Sequence, residues 1–274
     1  MGASETDTGS VDDSTGHVRS QEEVLAAQLD YGLDELRRPT DGLLLSGVSA
    51  GLDVGFGPLF MAALYSVAAG VWSAPTLELT LGVLYATGFV FVVLGRAALF
   101  TEHTTLAVVP VLDGRATVRS LLRLWGVVYL GNAVGGAVFA LAMVAAAPAY
   151  GIVDPAAFVH LAEPLVSHPW YVTLVAAVLA GWLMGLLSWL VTAVRDATTQ
   201  LALVVLVTTV IGFGHLPHAV AGTVEVLAGA FVAPTITLAD YARFVVLAVL
   251  GNAVGGSVFV ALLKYGYVVR GQRE

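Results

Sequence analysis

Residues 99–106 read Leu-Phe-Thr-Glu-His-Thr-Thr-Leu, a polar knot inside an apolar run too long for one membrane-crossing helix. The run covers residues 77–112, 36 positions in all. As one continuous helix it would reach about 54 Å at roughly 1.5 Å per residue, against a hydrocarbon core of about 30 Å. The chain is therefore expected to break within it. At membrane depth a broken helix persists only where protein buries it or where it lines a wet cavity, because freed backbone N–H and C=O groups find no partners among acyl chains. An interruption lined with threonines, a carboxylate and an imidazole is thus expected on a transport pathway.

The composition around this knot is that of an integral membrane protein. Of 274 residues, 58% are hydrophobic and 12% charged, and the mean hydropathy is +0.86. Cysteine is absent, which excludes disulfide frameworks, thiolate metal sites and cysteine catalysis. The formal net charge of −8 is concentrated near the start, where ten of the twenty acids precede Gly42. Residues 1–20 are polar and acidic and are expected to be a disordered tail; they lack the basic start, apolar middle and small-residue cleavage site of a secretory leader. Over residues 21–40, Val24, Leu25, Leu29, Leu33 and Leu36 recur at helical spacing among charges. That spacing predicts an amphipathic helix on the membrane surface or against the bundle.

A transmembrane domain over residues 42–270 follows, with six segments expected at 42–69, 77–112, 121–147, 170–194, 198–232 and 244–267. With the N-terminus in the cytoplasm, the inside connections carry Arg37, Arg38, Arg115, Arg119, Arg123, Arg195, Lys264, Arg270 and Arg273, and the outside ones only Arg243. This asymmetry predicts a multi-pass protein of the cell membrane with both termini cytoplasmic. Arg96 lies inside the second segment near its break, where an arginine needs a partner or water.

An internal repeat organises these segments. Residues 130–139 read LGNAVGGAVF and residues 250–259 read LGNAVGGSVF, nine identities in ten at a separation of 120 residues. The 35 residues 198–232 are also too long for one span and are interrupted near residues 212–222. The chain thus reads as two three-segment units, about 42–147 and 170–267, each with a broken second segment and a third carrying GNAVGG. Because three is odd, the second unit enters from the opposite side, which predicts an inverted repeat whose two breaks converge near the midplane.

The stretch LFTEHTTL, the GNAVGG repeat and the turn His218-Ala219-Val220-Ala221 resemble the formate/nitrite transporter family over residues 22–270. The resemblance implies an aquaporin-like all-α fold and a homopentamer with one pore per protomer. It also implies that Leu99, Phe100 and Thr101 form the loop of the second segment, that His218 is the central pore histidine and that Asn252 lies near it. Tyr85 matches a family position at the outer constriction. A rival alignment through Gly212-Phe213-Gly214-His215 makes His215 central; His218 is favoured because the residues after it build the half-helix. The chain departs from the family pattern at Pro217, Gly222 and Ser188, where an acid, an asparagine and an asparagine are usual.

A small monovalent anion meets a large desolvation barrier in an apolar constriction. His218 is therefore expected to attract or protonate a weak-acid anion, with Thr101 and Asn252 donating hydrogen bonds. Leu99 and Phe100 would close the inner side, and Tyr85, Phe89 and Ile211 the outer one, with Ser188 and His215 beside the path. Asp53, Glu102, Arg96 and Glu225 are the remaining ionisable candidates within the segments, Asp53 with either Arg96 or a neighbouring subunit as partner. Thr101, Thr104 and Thr105 have an equally good reading as groups that re-satisfy freed backbone, and Asn132 reads as structural.

The function expected is a channel or transporter for formate, nitrite or a similar weak-acid anion, with proton coupling through the central histidine. The expected partners are that anion, the lipid bilayer and further copies of the chain; no enzyme activity, cofactor, metal or nucleic acid is implied. A water channel of aquaporin type is the nearest alternative, disfavoured because neither break contains Asn-Pro-Ala. A membrane metalloenzyme built on His215, His218 and Glu225, and a structural membrane subunit, are more distant alternatives.

Overall fold

A computed structural model describes residues 18–271, and its regular elements are helices. An amphipathic helix, α1 (Gln21–Arg37), leads into α2 (Thr40–Val54) and α3 (Phe56–Ala68), which form one span bent at Gly55. There follow α4 (Ala74–Leu94), the short helices α5 (Phe100–Leu106) and α6 (Val109–Leu112), and α7 (Val118–Ala146). The connecting helix α8 (Pro155–Val166) precedes α9 (Trp170–Ala193), α10 (Ala197–Phe213), α11 (Ala221–Val232) and α12 (Leu238–Gly256). A π-helical turn, Ser257–Leu262, joins α12 to α13 (Leu263–Gly271). Five stretches are long and apolar enough to cross a membrane: Thr40–Ala68, Ala74–Leu94, Val118–Ala146, Trp170–Ala193 and Leu238–Gly271. The fifth expected segment, 198–232, is present as two shorter apolar helices, α10 and α11. The chain is a multi-pass membrane protein.

Side-chain caps set many of the helix starts. Ser20 with Glu23, Thr117 with Ser120 and Thr237 with Asp240 form reciprocal capping boxes, and Asp154 and Asp196 cap α8 and α10. Most of the tail expected to be disordered, residues 1–17, lies outside the described residues. Residues 18–20 correct that expectation, because they satisfy the carbonyls at the end of α9: the Arg19 N–H donates to the Ala193 carbonyl at 2.8 Å. From there α1 lies against the bundle, with Val24, Leu25, Leu29 and Leu36 buried.

Packing pairs the spans through their small residues. In one half α2 lies along α7, in the other α9 lies along α12, and α4 packs on α10 between them. Gly135 and Gly255 occupy the same place in the two copies of GNAVGG, and each allows backbone contact. A Cβ on Gly135 would fall on the Val48 carbonyl of α2, and one on Gly255 on the Val178 carbonyl of α9.

The two breaks share one construction. The first lies at residues 95–99, before the polar knot rather than in it; residues 100–106 are the half-helix α5. The second covers residues 214–220. In the first, the Arg96 N–H donates to Val93 O at 3.2 Å and the Ala97 N–H to Val92 O at 3.1 Å. In the second, the His215 N–H donates to Gly212 O and the Leu216 N–H to Ile211 O, both at 3.1 Å. These crossed bonds are the two bonds of a Schellman cap, whose turning residue takes a left-handed conformation and is usually glycine. Here Arg96 (φ 55°) and His215 (φ 46°) take it, the only non-glycine residues with positive φ among those described. Each carries the steric cost of a Cβ in that region, of order 1–2 kcal/mol.

Candidate functional site

The breaks are held by asparagines from the spans that follow them. The Asn132 amide donates through Nδ2 to Gly47 O and Ala98 O, both at 2.8 Å, and its Oδ1 accepts from the Phe100 N–H at 2.9 Å. The Asn252 amide donates to Ala177 O at 2.8 Å and Pro217 O at 3.0 Å, and its Oδ1 accepts from the Ala219 N–H at 2.8 Å. Both side chains are fully buried. Each ties a break to the helix its own span packs on, and so satisfies backbone groups that the interruption frees. The expectation that Asn252 donates to substrate is corrected here, since both of its N–H groups are already committed. Asn252 does what Asn132 does.

Held this way, the breaks meet. Thr101 Oγ1 lies 2.8 Å from His218 Nε2, joining residues 117 positions apart. The other ring nitrogen, Nδ1, accepts from the Val220 and Ala221 N–H groups at the start of α11, both at 3.2 Å. Two donors aimed at Nδ1 require its lone pair, so the ring hydrogen sits on Nε2 and is donated to Thr101 Oγ1. The hydroxyl hydrogen of Thr101 is then not needed for the contact with His218, and both residues are fully buried. Thr104 instead donates to Thr101 O at 2.7 Å and Thr105 to Gly256 O at 3.1 Å, the backbone-satisfying role weighed for them above.

Apolar rings flank this meeting point. The Phe89 ring stands edge-on to His218 at 4.9 Å between centroids, and Tyr85 lies 5.1 Å from Phe89. Beyond them, toward the α8 end of the bundle, is a cavity lined by Met61, Tyr85, Leu161, Ile211, His215 and Glu225. Leu99 and Phe100 are buried on the side nearer α1, with the Phe100 ring against Trp125 and Tyr129. A second cavity, about 400 Å³, opens toward the α1 end between Arg19, Tyr31, Arg96, Glu102, Ser188 and Arg195. Three guanidinium groups line it with one carboxylate, Glu102, and Arg195 is also 3.7 Å from Glu23, which leaves a net positive balance that favours anions there.

The remaining candidates separate from this axis. His215 is not central: its Nε2 lies 3.2 Å from Glu78 Oε2, while His160 Nε2 lies 3.5 Å from Glu78 Oε1. His218 has both ring nitrogens in hydrogen bonds, so His215, His218 and Glu225 do not converge, and no metal-binding group forms among the described residues. Asp53 is half-buried in α2 and accepts from Ser49 Oγ at 3.3 Å; the described residues give it no ion pair with Arg96, which faces the α1-end cavity instead. His103 donates through Nδ1 to Leu99 O at 2.8 Å and turns Nε2 to Glu35 Oε2 at 3.2 Å, so α5 is tied to α1. Glu35 also accepts from Arg38 at 2.9 and 3.0 Å. Burial pushes the Glu35 carboxyl up, but the hydrogen bonds and charges of His103 and Arg38 outweigh it and hold it below its ordinary value.

Sequence reading missed Glu78, His160 and Arg19 as neighbours of the pathway. They lie far apart in the chain and share no motif, and only the packing of α4, α8 and the segment before α1 brings them to the two mouths.

The family model described as "Formate/nitrite transporter" matches residues 22–266. The chain belongs to the formate/nitrite transporter family. Inner membrane protein YfdC of Escherichia coli (strain K12) is 32% identical over 240 residues, 86% of this chain and 75% of that protein. A solved structure titled "FNT family ion channel" superposes with a TM-score of 0.79 at 21% identity, covering 91% of this chain and 99% of that one. Another, titled "Pentameric formate channel with formate bound", gives a TM-score of 0.70 at 21% identity over 84% and 98% of the two chains. The helical fold with its apolar membrane-crossing helices matches that of solved members of the family.

Proposed function

We propose that the chain conducts small monovalent weak-acid anions of the formate and nitrite class, which cross between the two breaks at Thr101 and His218. The observation that carries this reading is the 2.8 Å contact of Thr101 Oγ1 with His218 Nε2, in which the imidazole is fixed as donor and the threonine hydroxyl is left to face the permeant species. The start of α11 lies three residues after His218, so its positive end adds a field that favours negative charge at the crossing point. Family membership supports the same class of substrate. The cavity with Arg19, Arg96 and Arg195 concentrates anions at one mouth, and the rings of Tyr85 and Phe89 with Ile211 close the other.

The architecture we infer has six membrane segments in two inverted units, about residues 42–147 and 170–267, in the aquaporin-like arrangement. Support comes from the paired Schellman caps, the paired asparagine bridges and the paired glycine contacts, each of which falls at matching places in the two halves. The distribution of basic residues supports cytoplasmic termini, so the α1 end is the inner mouth and the α8 end the outer one. The relative whose title names it pentameric supports a homopentamer with one pathway in each protomer.

Flux into vesicles containing the purified protein tests this reading. With formate, nitrite, hydrosulfide, acetate and water compared at two pH values, formate or nitrite uptake is expected to exceed that of protein-free vesicles by about ten-fold or more, the effect of about 1.4 kcal/mol or more on the barrier. Permeation of water alone would overturn it.

A further inference from the structure

Two carboxylates are buried among the described residues, and they differ in one respect. Glu35 is paired with Arg38 and His103, whereas Glu225 has no ion pair and its Oε1 makes no hydrogen bond. Glu225 is 7% exposed and reaches the outer cavity beside Tyr85 and Ile211, at the entrance to the apolar constriction. An ionised carboxylate in that place would be uncompensated in a low-dielectric site and would repel an approaching anion. A neutral carboxylic acid has neither defect, and it carries a hydrogen to give.

We propose that Glu225 is the proton-exchanging group of the pathway: it rests as the neutral acid, hands its proton to a weak-acid anion in the outer cavity, and the substrate passes Phe89 and His218 uncharged. This inference rests on the weak-acid reading above and replaces the central histidine in the role of proton carrier. His218 is unsuited to that role because Nδ1 is held as an acceptor by two backbone N–H groups, so a second ring proton would face two donors. In the exchange, the O–H bond of Glu225 breaks, its electron pair stays on the carboxylate, and a new O–H bond forms on the substrate. The charge passes only transiently to Glu225, and one proton taken up from the outer solution, delivered as hydronium, restores the neutral acid as the substrate moves on. Protonating the anion before the constriction removes most of its desolvation penalty.

The surroundings fit such an exchange. Tyr85 of α4 and His215 of the second break line the cavity beside Glu225. Glu78 of α4 and His160 of α8 follow through the Glu78–His215 pair, with Tyr65 of α3 stacked on His160 and Glu163 of α8 near it. On the other flank Tyr129 of α7 and Tyr241 of α12 approach Thr223, two positions before Glu225. None of these is a permanent cation that would hold Glu225 ionised. His215, Glu78 and His160 are each partly exposed, which gives water access on that side for reprotonation.

Vesicles reporting formate uptake and internal pH together test the proposal. Wild type is expected to bring in about one proton with each formate, and Glu225→Gln to lower uptake by about ten-fold or more and to abolish its co-moving proton, with Glu225→Asp restoring part of both. Formate uptake by Glu225→Gln at the wild-type rate and proton ratio overturns the proposal. Wild-type uptake of formate without protons also overturns it and leaves the transport reading standing, whereas no uptake of any weak acid by wild type overturns both. If Glu225→Gln fails to assemble, infrared spectra of wild type decide: a protonated-carboxyl band that persists near neutral pH and shifts on deuteration is expected, and its absence is the contrary result.

Discussion

Asn252→Ala is expected to destabilise the protein by about 2–6 kcal/mol, because it leaves the Pro217 carbonyl and the Ala219 N–H of the second break buried without that partner, at about 1–3 kcal/mol for each. That loss is a large share of the stability of an ordinary domain, about 5–15 kcal/mol. Asn132→Ala is expected to do the same to the first break through the Ala98 carbonyl and the Phe100 N–H. The measurement is thermal unfolding of purified protein, together with the yield of folded material. Matching losses from the two variants mark both residues as braces of the breaks. Wild-type stability with reduced anion flux in Asn252→Ala alone would make Asn252 a substrate contact, the role first expected of it.

His218→Phe is expected to lower formate flux by roughly 30- to 100-fold, the equivalent of about 2–3 kcal/mol on the barrier. A phenyl ring keeps the edge-on contact with Phe89 but removes the donor to Thr101 and the acceptor for the Val220 and Ala221 N–H groups. His218→Asn, which retains a donor and an acceptor, is expected to keep part of the flux. Neither substitution is expected to move the pH at which flux is half-maximal, because the ring hydrogen is fixed on Nε2 and the exchanging proton is assigned to Glu225. Flux measured across a pH series separates the two effects. A pH midpoint that shifts with His218 and not with Glu225 would return proton exchange to the imidazole.

The sequence carried the paired units in plain view, because the constraint that creates them is local and repeated. Helices approach closely only where side chains are small, and an interrupted helix needs a buried amide to hold its freed backbone; GNAVGG supplies both within six residues, at Asn132 and again at Asn252. The second interruption fell within the expected residues 212–222, whereas the site of the first was harder to read. A left-handed turning residue is ordinarily betrayed by glycine, and here Arg96 and His215 take that conformation, so the polar knot after Arg96 drew the eye instead. The bend at Gly55 and the π-helical turn at Ser257–Leu262 have no composition that separates them from continuous helix. The helix α8 does have a signal, Asp154 as cap followed by Pro155, but too few apolar residues to register as a span.

The axis of the site was legible in part for the same reason. Thr101 and His218 stood out because polar side chains beside a break in an apolar run need a purpose. Their contact across 117 positions follows from how the halves fold over each other, which no local pattern encodes. The pairing of Glu78 with His215 and His160 is equally non-local, and it is what turns His215 away from the crossing point. Asn252 was misassigned because nearness to a pore histidine says nothing about which hydrogens a side chain has left to give.

Formate uptake through Thr101→Val tests most directly whether anions cross where the two breaks meet. Valine has the branching of threonine and replaces the hydroxyl that meets His218 with a methyl group. Uptake about ten-fold or more below wild type is the expected result, with folded protein still recovered and stability lowered by about 1–3 kcal/mol, because the buried Nε2–H of His218 loses its acceptor. Uptake at the wild-type rate would contradict it and place the crossing point elsewhere in the protein.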